Sequence, residues 1–200
     1  MRICLAGSGG TGKTTLLTKL NEDLDYPVIQ EGIREWLVNN NFDDFKDMEP
    51  SDVVKMQSEV MDGKIRQESK LKDFISDRTT LENLSYGLRW IGSTSNENDE
   101  WMETYINRAM DHAKDNYDIV FICPWGIFDI EPDGTRSSKK YYQYMMQAII
   151  EYHLYGLWTS GKSNIHIHKL ESVSLAERVA ECMLVMNEWD LKKQGGIKDV

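Results

Sequence analysis

The stretch Arg2-Ile3-Cys4-Leu5-Ala6-Gly7-Ser8-Gly9-Gly10-Thr11-Gly12-Lys13-Thr14-Thr15 decides the fold class. An apolar, strand-like run from Ile3 to Ala6 enters a turn that satisfies Gly-x-x-x-x-Gly-Lys-Ser/Thr, and a helix-forming run leaves it at Lys13. A random chain of this length carries the pattern about 1% of the time, before the strand and helix flanks are required. The residue types have separate tasks. Gly7, Gly9, Gly10 and Gly12 let successive backbone N–H groups, that of Thr11 included, turn inward as an anion nest. The helix N-terminus, through Thr14 and Thr15, adds partial positive charge. Lys13 is expected to reach the β- and γ-phosphates of a nucleoside triphosphate, and the Thr14 hydroxyl to ligate Mg²⁺.

Outward from this loop, short β-rich runs fall at Arg2 to Ala6, Tyr26 to Gln30, Phe74 to Ser76, Ile119 to Cys123 and Ile165 to His168. Helical stretches lie between them: Lys13 to Asp23, Ser51 to Lys72, Trp101 to Asn116, Lys139 to Trp158 and Ser172 to Lys193. Strands alternating with helices predict a parallel α/β sheet covered on both faces, built as one domain over residues 1–200. The acidic segments Asn39 to Ser51 and Ser93 to Glu103 read as solvated insertions. No repeat period and no low-complexity tract is visible.

Composition narrows the function. Lys and Arg number 23 against 33 Asp and Glu, a net charge of −10, so a bulk electrostatic hold on nucleic acid or an anionic membrane is not expected and any phosphate binding must be local. The longest apolar runs, around Ile119 to Pro124 and Met145 to Ile150, fall far below a bilayer span, and no leader precedes Gly7. The chain is therefore expected to be soluble, unprocessed and cytoplasmic. Cys4, Cys123 and Cys182 are odd in number and widely spaced, which argues against a disulfide framework or a zinc knuckle and for a reducing compartment.

A phosphate loop alone does not separate kinases from GTPases or ring ATPases. The chain lacks the Asn/Thr-Lys-x-Asp and Asp-x-x-Gly elements of GTPases, and its candidate core strands end Ser76-Asp77-Arg78 and Cys123-Pro124 rather than in Asp-Glu. A small-molecule kinase needs an acid beside the acceptor hydroxyl, cations for the moving phosphoryl group and a lid against water. Glu31, at the C-terminal edge of the second strand, is the candidate base, with Arg34 and Trp36 beside it on the acceptor side. Asp77 can hold Mg²⁺ or orient the acceptor, and Arg78 can pair with phosphate. The turn Glu131 to Ser138 carries Arg136, a candidate lid cation. Packing is the competing reading for Trp36, Tyr86 and Trp90, and for the Tyr141 to Ile150 run of tyrosines and methionines. His166 and His168 share one face of the last strand, but no matching ligand set accompanies them.

At these positions the chain resembles the nicotinamide riboside kinase domain of bacterial NadR-type proteins and the wider AAA-like group of P-loop small-molecule kinases. The matching elements are Gly7 to Thr14, Glu31 to Trp36, Ile75 to Asp77, Asp133 to Ser137, and Arg178 in a late helix start. The Glu31 to Trp36 string is also similar to the base-containing segment of deoxynucleoside kinases, and Asp77-Arg78 to the Asp-Arg element of thymidylate kinases. The resemblance implies a five-stranded parallel sheet of order 2-3-1-4-5, an acceptor-binding helical region over about 39–70 and a lid over about 124–140. It also implies that Arg136 and Arg178 serve the nucleotide. Phe74-Ile75 depart from the family, which places an acidic residue before the Ser/Thr-Asp step, and no nucleotidyltransferase segment accompanies the kinase-like part, as in a phage or accessory-gene nucleotide kinase.

The resulting expectation is ATP- and Mg²⁺-dependent phosphoryl transfer to a nucleoside or nucleoside monophosphate. Lys13, Glu31, Asp77 and Arg136 are the catalytic candidates. The competing readings are a regulatory ATPase switch and a kinase acting on a modified base in DNA through a local basic groove. An exposed Cys182 or the aromatic helix from Tyr141 to Trp158 is the candidate homodimer surface.

Overall fold

Alternate residues of the first strand face opposite ways, Ile3 and Leu5 to one side and Cys4 and Ala6 to the other, and all four are fully buried. A strand that is apolar on both faces belongs in the middle of a covered sheet. The computed structural model describes residues 1–43, 47–91, 99–129, 139–161 and 163–195. Its order is β1 (Arg2–Ala6), α1 (Lys13–Leu24), β2 (Val28–Ile29), α2 (Ile33–Asn39), α3 (Pro50–Glu68) and β3 (Phe74–Asp77), then α4 (Thr80–Ile91), α5 (Asp99–Asn116), β4 (Ile119–Ile122), α6 (Lys140–Thr159), β5 (His166–Lys169) and α7 (Leu175–Gly195). The five strands are all parallel in the order β2-β3-β1-β4-β5, as expected.

The two faces bury separate clusters. On one, Cys4, Ala6, Phe74, Val120 and Ile122 meet Leu81 and Leu84 of α4, Tyr105 and Ala109 of α5, and Ile150 and Leu154 of α6. On the other, Ile3, Leu5, Ile75, Ile119 and Phe121 meet Leu16, Leu17 and Leu20 of α1 and Cys182, Val185 and Met186 of α7. Each such aliphatic side chain contributes about 1.5 to 3 kcal/mol by leaving water. A third cluster, Trp36 and Leu37 with Met56 and Val60, fixes α2 against α3.

Several elements differ from the sequence reading. β2 is two residues long rather than running from Tyr26 to Gln30. Pro27 has no N–H to give, although its carbonyl accepts from Ile75, and Gly32 (φ 84°) turns the chain into α2. α3 stops at Glu68 rather than Lys72, because Lys70 and Leu71 bond three residues back instead of four. The short α2 and the whole of α4 stand where only connections were expected. Cys182, expected at an exposed dimer surface, is fully buried in the second cluster, and all three cysteines are free and buried. The aromatic run on α6 divides: Met146 and Ile150 pack inward, while Tyr141, Tyr144 and Tyr152 face solvent. His168 bonds Glu181 at 2.7 Å and His166 lies against Trp189. Among the described residues no set of three or more His, Cys, Asp or Glu is placed to hold a metal, and no helix is long and apolar enough to cross a membrane. Residues 44–46 and 92–98, parts of or adjoining the two acidic segments, lie outside the described residues.

Gly87 of α4 shows how closely the first cluster is packed. A Cβ there would sit 2.8 Å from Cε1 of Tyr105. That ring cannot retreat, since it stacks on Trp101 at 4.6 Å and its hydroxyl donates to Gln57 at 3.0 Å. Helix propensity favours alanine by about 1 kcal/mol, whereas overpacking costs about 1 to 3. Gly87→Ala is therefore expected to lower stability by up to about 2 kcal/mol, read as a lower midpoint in urea with an unchanged slope.

Candidate active site

Register brings the site together. Leu5 of β1 pairs with Asp77, the last residue of β3, and Ala6 pairs with Ile122, the last of β4. The loop leaving β1 therefore opens directly between those two strand ends. Gly7 (φ 141°) lies so close to the neighbouring connection that a Cβ would fall 2.6 Å from the Cys123 carbonyl oxygen. Gly12 (φ 79°) occupies the left-handed region at the N-cap of α1, where a side chain would meet Phe128.

The loop is held from three sides. Lys13, nearly buried, donates from Nζ to the carbonyls of Gly7 at 2.5 Å and Ser8 at 2.8 Å, and Thr11 Oγ1 donates to Ser8 O. Burial lowers the Lys13 pKa, and Glu82 pulls it the other way. From α6, Gln147 Oε1 accepts from the Ser8 N–H and Gln143 Oε1 from the Gly9 N–H, both at 2.8 Å. From α7, Arg178 donates to Thr11 O and Ser172 O at 3.0 Å each, with its guanidinium 4.8 Å from the Phe128 ring centre. Glu181 fixes the turn before α7 by accepting from the N–H groups of Glu171 and Ser172. Burial alone would raise the Glu181 carboxyl, but those bonds and His168 prevail and hold it down at about 2.

In front of the loop is a cavity of about 630 Å³. Gly9 to Thr15 form its floor, Gln30, Glu31, Gly32, Arg34 and Glu35 one wall, and Asp77 and Arg78 the other. At its centre Thr14 Oγ1 donates to Asp77 Oδ2 at 2.9 Å, while the second Asp77 oxygen is buried without a hydrogen-bond partner among the described residues. Hydroxyl and carboxylate are the hard oxygen donors Mg²⁺ takes, and an unpartnered buried carboxylate oxygen is one a cation would satisfy, so these residues fit that ion.

Arg78 commands the far end. It adopts φ 72°, pairs through Nε with Glu31 at 2.9 Å and through Nη1 with Glu82 at 3.0 Å, and lies 5.1 Å from the centre of the Tyr86 ring. Burial works against its charge, but Glu31, Tyr86 and Glu82 outweigh it, and the guanidinium is held more firmly charged than usual. Glu82 is fully buried; burial raises its carboxyl pKa against the pull of Lys13 and Arg78.

Of the residues singled out from sequence, the cavity gathers Gly9, Gly10, Thr11, Gly12, Lys13, Thr14, Thr15, Glu31, Arg34, Asp77 and Arg78. Gly7, the first residue of the loop, packs against the Cys123 carbonyl and Arg178 bonds the Thr11 carbonyl, and neither lines the cavity. Trp36 is not in the cavity. It is buried against α3, stacks on Phe42 and donates from Nε1 to Glu59 at 2.7 Å, so the packing alternative describes it. Arg136 and the rest of Asp133 to Ser137 lie outside the described residues, as does the Trp90 side chain. Sequence reasoning missed Glu82, Gln143 and Gln147. The signals were present: Glu82 is one helical turn after Arg78, and the two glutamines are one turn apart on the inward face of α6.

Chemically, the arrangement can cradle a polyphosphate on the nest, hold a hard cation at Thr14 and Asp77, and offer a carboxylate, Glu31, to a third group at the far wall. Comparison with known proteins gives the same fold. The chain is similar to deoxyadenosine kinase from M. mycoides (20% identity, 94% of this chain and 99% of that one, TM-score 0.65). It is also similar to NadR protein in complex with NR (18%, all of this chain and 52% of that one, TM-score 0.68), so it spans about half of that protein's length. Thymidylate kinase from Candida albicans is a third likeness (15%, 99% and 95%, TM-score 0.58). A search of curated proteins finds no match. The family model described as "AAA domain" matches residues 2–178, a span that takes in the phosphate loop, the Asp77-Arg78 strand end and Arg178, and the chain belongs to that family.

Proposed function

We propose that the chain catalyses ATP- and Mg²⁺-dependent phosphoryl transfer to a nucleoside or nucleoside monophosphate. The observation that carries this reading is that one cavity holds, in sequence, the amide nest, the Thr14–Asp77 pair and the Glu31–Arg78 pair. Those are the parts a phosphotransferase needs for its donor, its cation and its acceptor. Catalysis of this kind is mostly positioning and electrostatics. Lys13 exchanges its loop carbonyls for donor phosphate oxygens, and the loop amides share the charge. Thr14 and Asp77 would hold Mg²⁺, which would supply charge neutralisation on the donor phosphates. Arg136 and the surrounding turn are read as a lid that adds a further cation and excludes water.

Glu31 would accept the proton of an acceptor hydroxyl. A nucleoside fits this wall better than a monophosphate, because Arg78 is already committed to Glu31 and Glu82 and the wall has little net positive charge for a second phosphate. The monophosphate reading retains support from Arg34, which lines the same wall.

ADP production by purified protein with Mg²⁺-ATP tests this across nucleosides, nicotinamide riboside, nucleoside monophosphates and base-modified DNA, with Lys13→Ala as the blank. Stimulation by one acceptor class is expected. Turnover indifferent to every acceptor would replace the kinase reading with that of a regulatory ATPase. With a nucleoside acceptor, Glu31→Gln should lower kcat by at least ~10²-fold. A monophosphate kinase would lose far less, and its acceptor KM would rise instead in Arg34→Ala.

A further inference from the structure

Behind Asp77 and Arg78, on the side away from the cavity, lies a buried polar cluster that none of the chemistry above uses. Lys64 and Glu68 of α3 are 2% and 0% exposed and form an ion pair at 3.1 Å. Lys64 Nζ donates to Ser76 Oγ and, at 3.3 Å, to the Asp77 carbonyl, and Ser76 Oγ donates to Glu68 Oε1 at 2.9 Å. The other Glu68 oxygen accepts from Tyr117 OH at 3.0 Å and bonds His112 Nε2 at 2.6 Å. Asn116 Nδ2 donates to the opposite ring nitrogen of His112, which leaves Nε2–H as the donor to the Glu68 carboxylate. The Tyr117 hydroxyl in turn accepts the Thr80 N–H at 3.0 Å.

One carboxylate thus reaches both ends of the turn from Ser76 to Thr80. Between those ends are Asp77, bonded to Thr14, and Arg78 at φ 72°, a left-handed conformation that is costly for a residue other than glycine and persists only where its surroundings fix it. A buried ion pair is a weak source of stability, since desolvation cancels most of its attraction. Its effect here is geometric. Burial alone would raise the Glu68 carboxyl, but Lys64 and His112 outweigh it and hold the group below the ordinary carboxylate range, so Glu68 keeps its charge at neutral pH.

We propose that Lys64 and Glu68 are positioning residues: they clamp the Ser76 to Thr80 turn from behind and so aim Asp77 and Arg78 into the cavity. The catalytic consequence rests on the phosphotransferase reading; the clamp does not.

The test is the double variant K64M/E68Q, which removes both charges at nearly constant volume, examined by hydrogen–deuterium exchange and by kinetics. The peptide carrying the Arg78 and Thr80 amides should exchange at least ~10-fold faster, with β1 and β4 peptides unchanged. In the ADP assay kcat should fall by at least ~10-fold while the KM for ATP stays within about threefold. Should the double variant not fold, Tyr117→Phe removes only the Thr80 end of the clamp and should give the same local acceleration with a smaller loss of kcat. Unchanged exchange in a folded variant overturns the proposal, as does faster exchange with kcat intact. If wild-type protein shows no acceptor-dependent turnover, the phosphotransferase reading fails and exchange alone decides the clamp.

Discussion

The parallel pairing of β1 with β3 and β4 is the constraint from which the rest follows. With Leu5 opposite Asp77 and Ala6 opposite Ile122, the two flanking strands end within a residue or two of where the phosphate loop begins. The Arg78 N–H bonds Leu5 O at 3.0 Å and the Cys123 N–H bonds Ala6 O at 2.8 Å, so the ladder continues into both connections. A slip of one residue would turn Asp77 to the opposite face of the sheet and remove its bond to Thr14. Core packing forbids that slip, because the same shift would exchange Phe74 and Ile75 between two dissimilar clusters.

Much of this was legible in the sequence, for a definite reason. Strands apolar on both faces and bounded by turns announce a covered parallel sheet, the glycine loop with its two flanks marks the phosphate site after the first strand, and the resemblance to P-loop kinases supplied the strand order. Three things were not legible. α4 follows immediately on the Asp77-Arg78 turn and contains Gly87, so its Leu81, Leu84 and Leu88 spacing is interrupted by a residue that ordinarily marks a break. α2 is only seven residues long and is held by contact with α3, which no local pattern records. Trp36 could belong to a cavity or a core, and its partners Phe42 and Glu59 are decided by the packing of α2 on α3.

Charge is distributed in a way the net value of −10 conceals. Lys13, Arg34, Arg78 and Arg178 converge on the loop and the cavity, and Glu31, Asp77 and Glu82 are set among them. Around Arg78 the site is consequently a place of paired opposite charges in a partly shielded setting, where the attraction is stronger than at the surface. Arg78 is the junction: its unusual backbone turns the guanidinium to meet Glu31, Glu82 and Tyr86 together.

Gln143 and Gln147 project from one rigid helix at a spacing of one turn, and each holds an amide of the phosphate loop. The orientation of those two neighbouring amides is therefore fixed by a helix of the fold, with no reference to any anion. Flattening the loop would break both bonds. The ordering of this part of the nest is completed as the chain folds, and an arriving polyphosphate meets a mould already cast instead of a flexible strand of glycine that it must first shape.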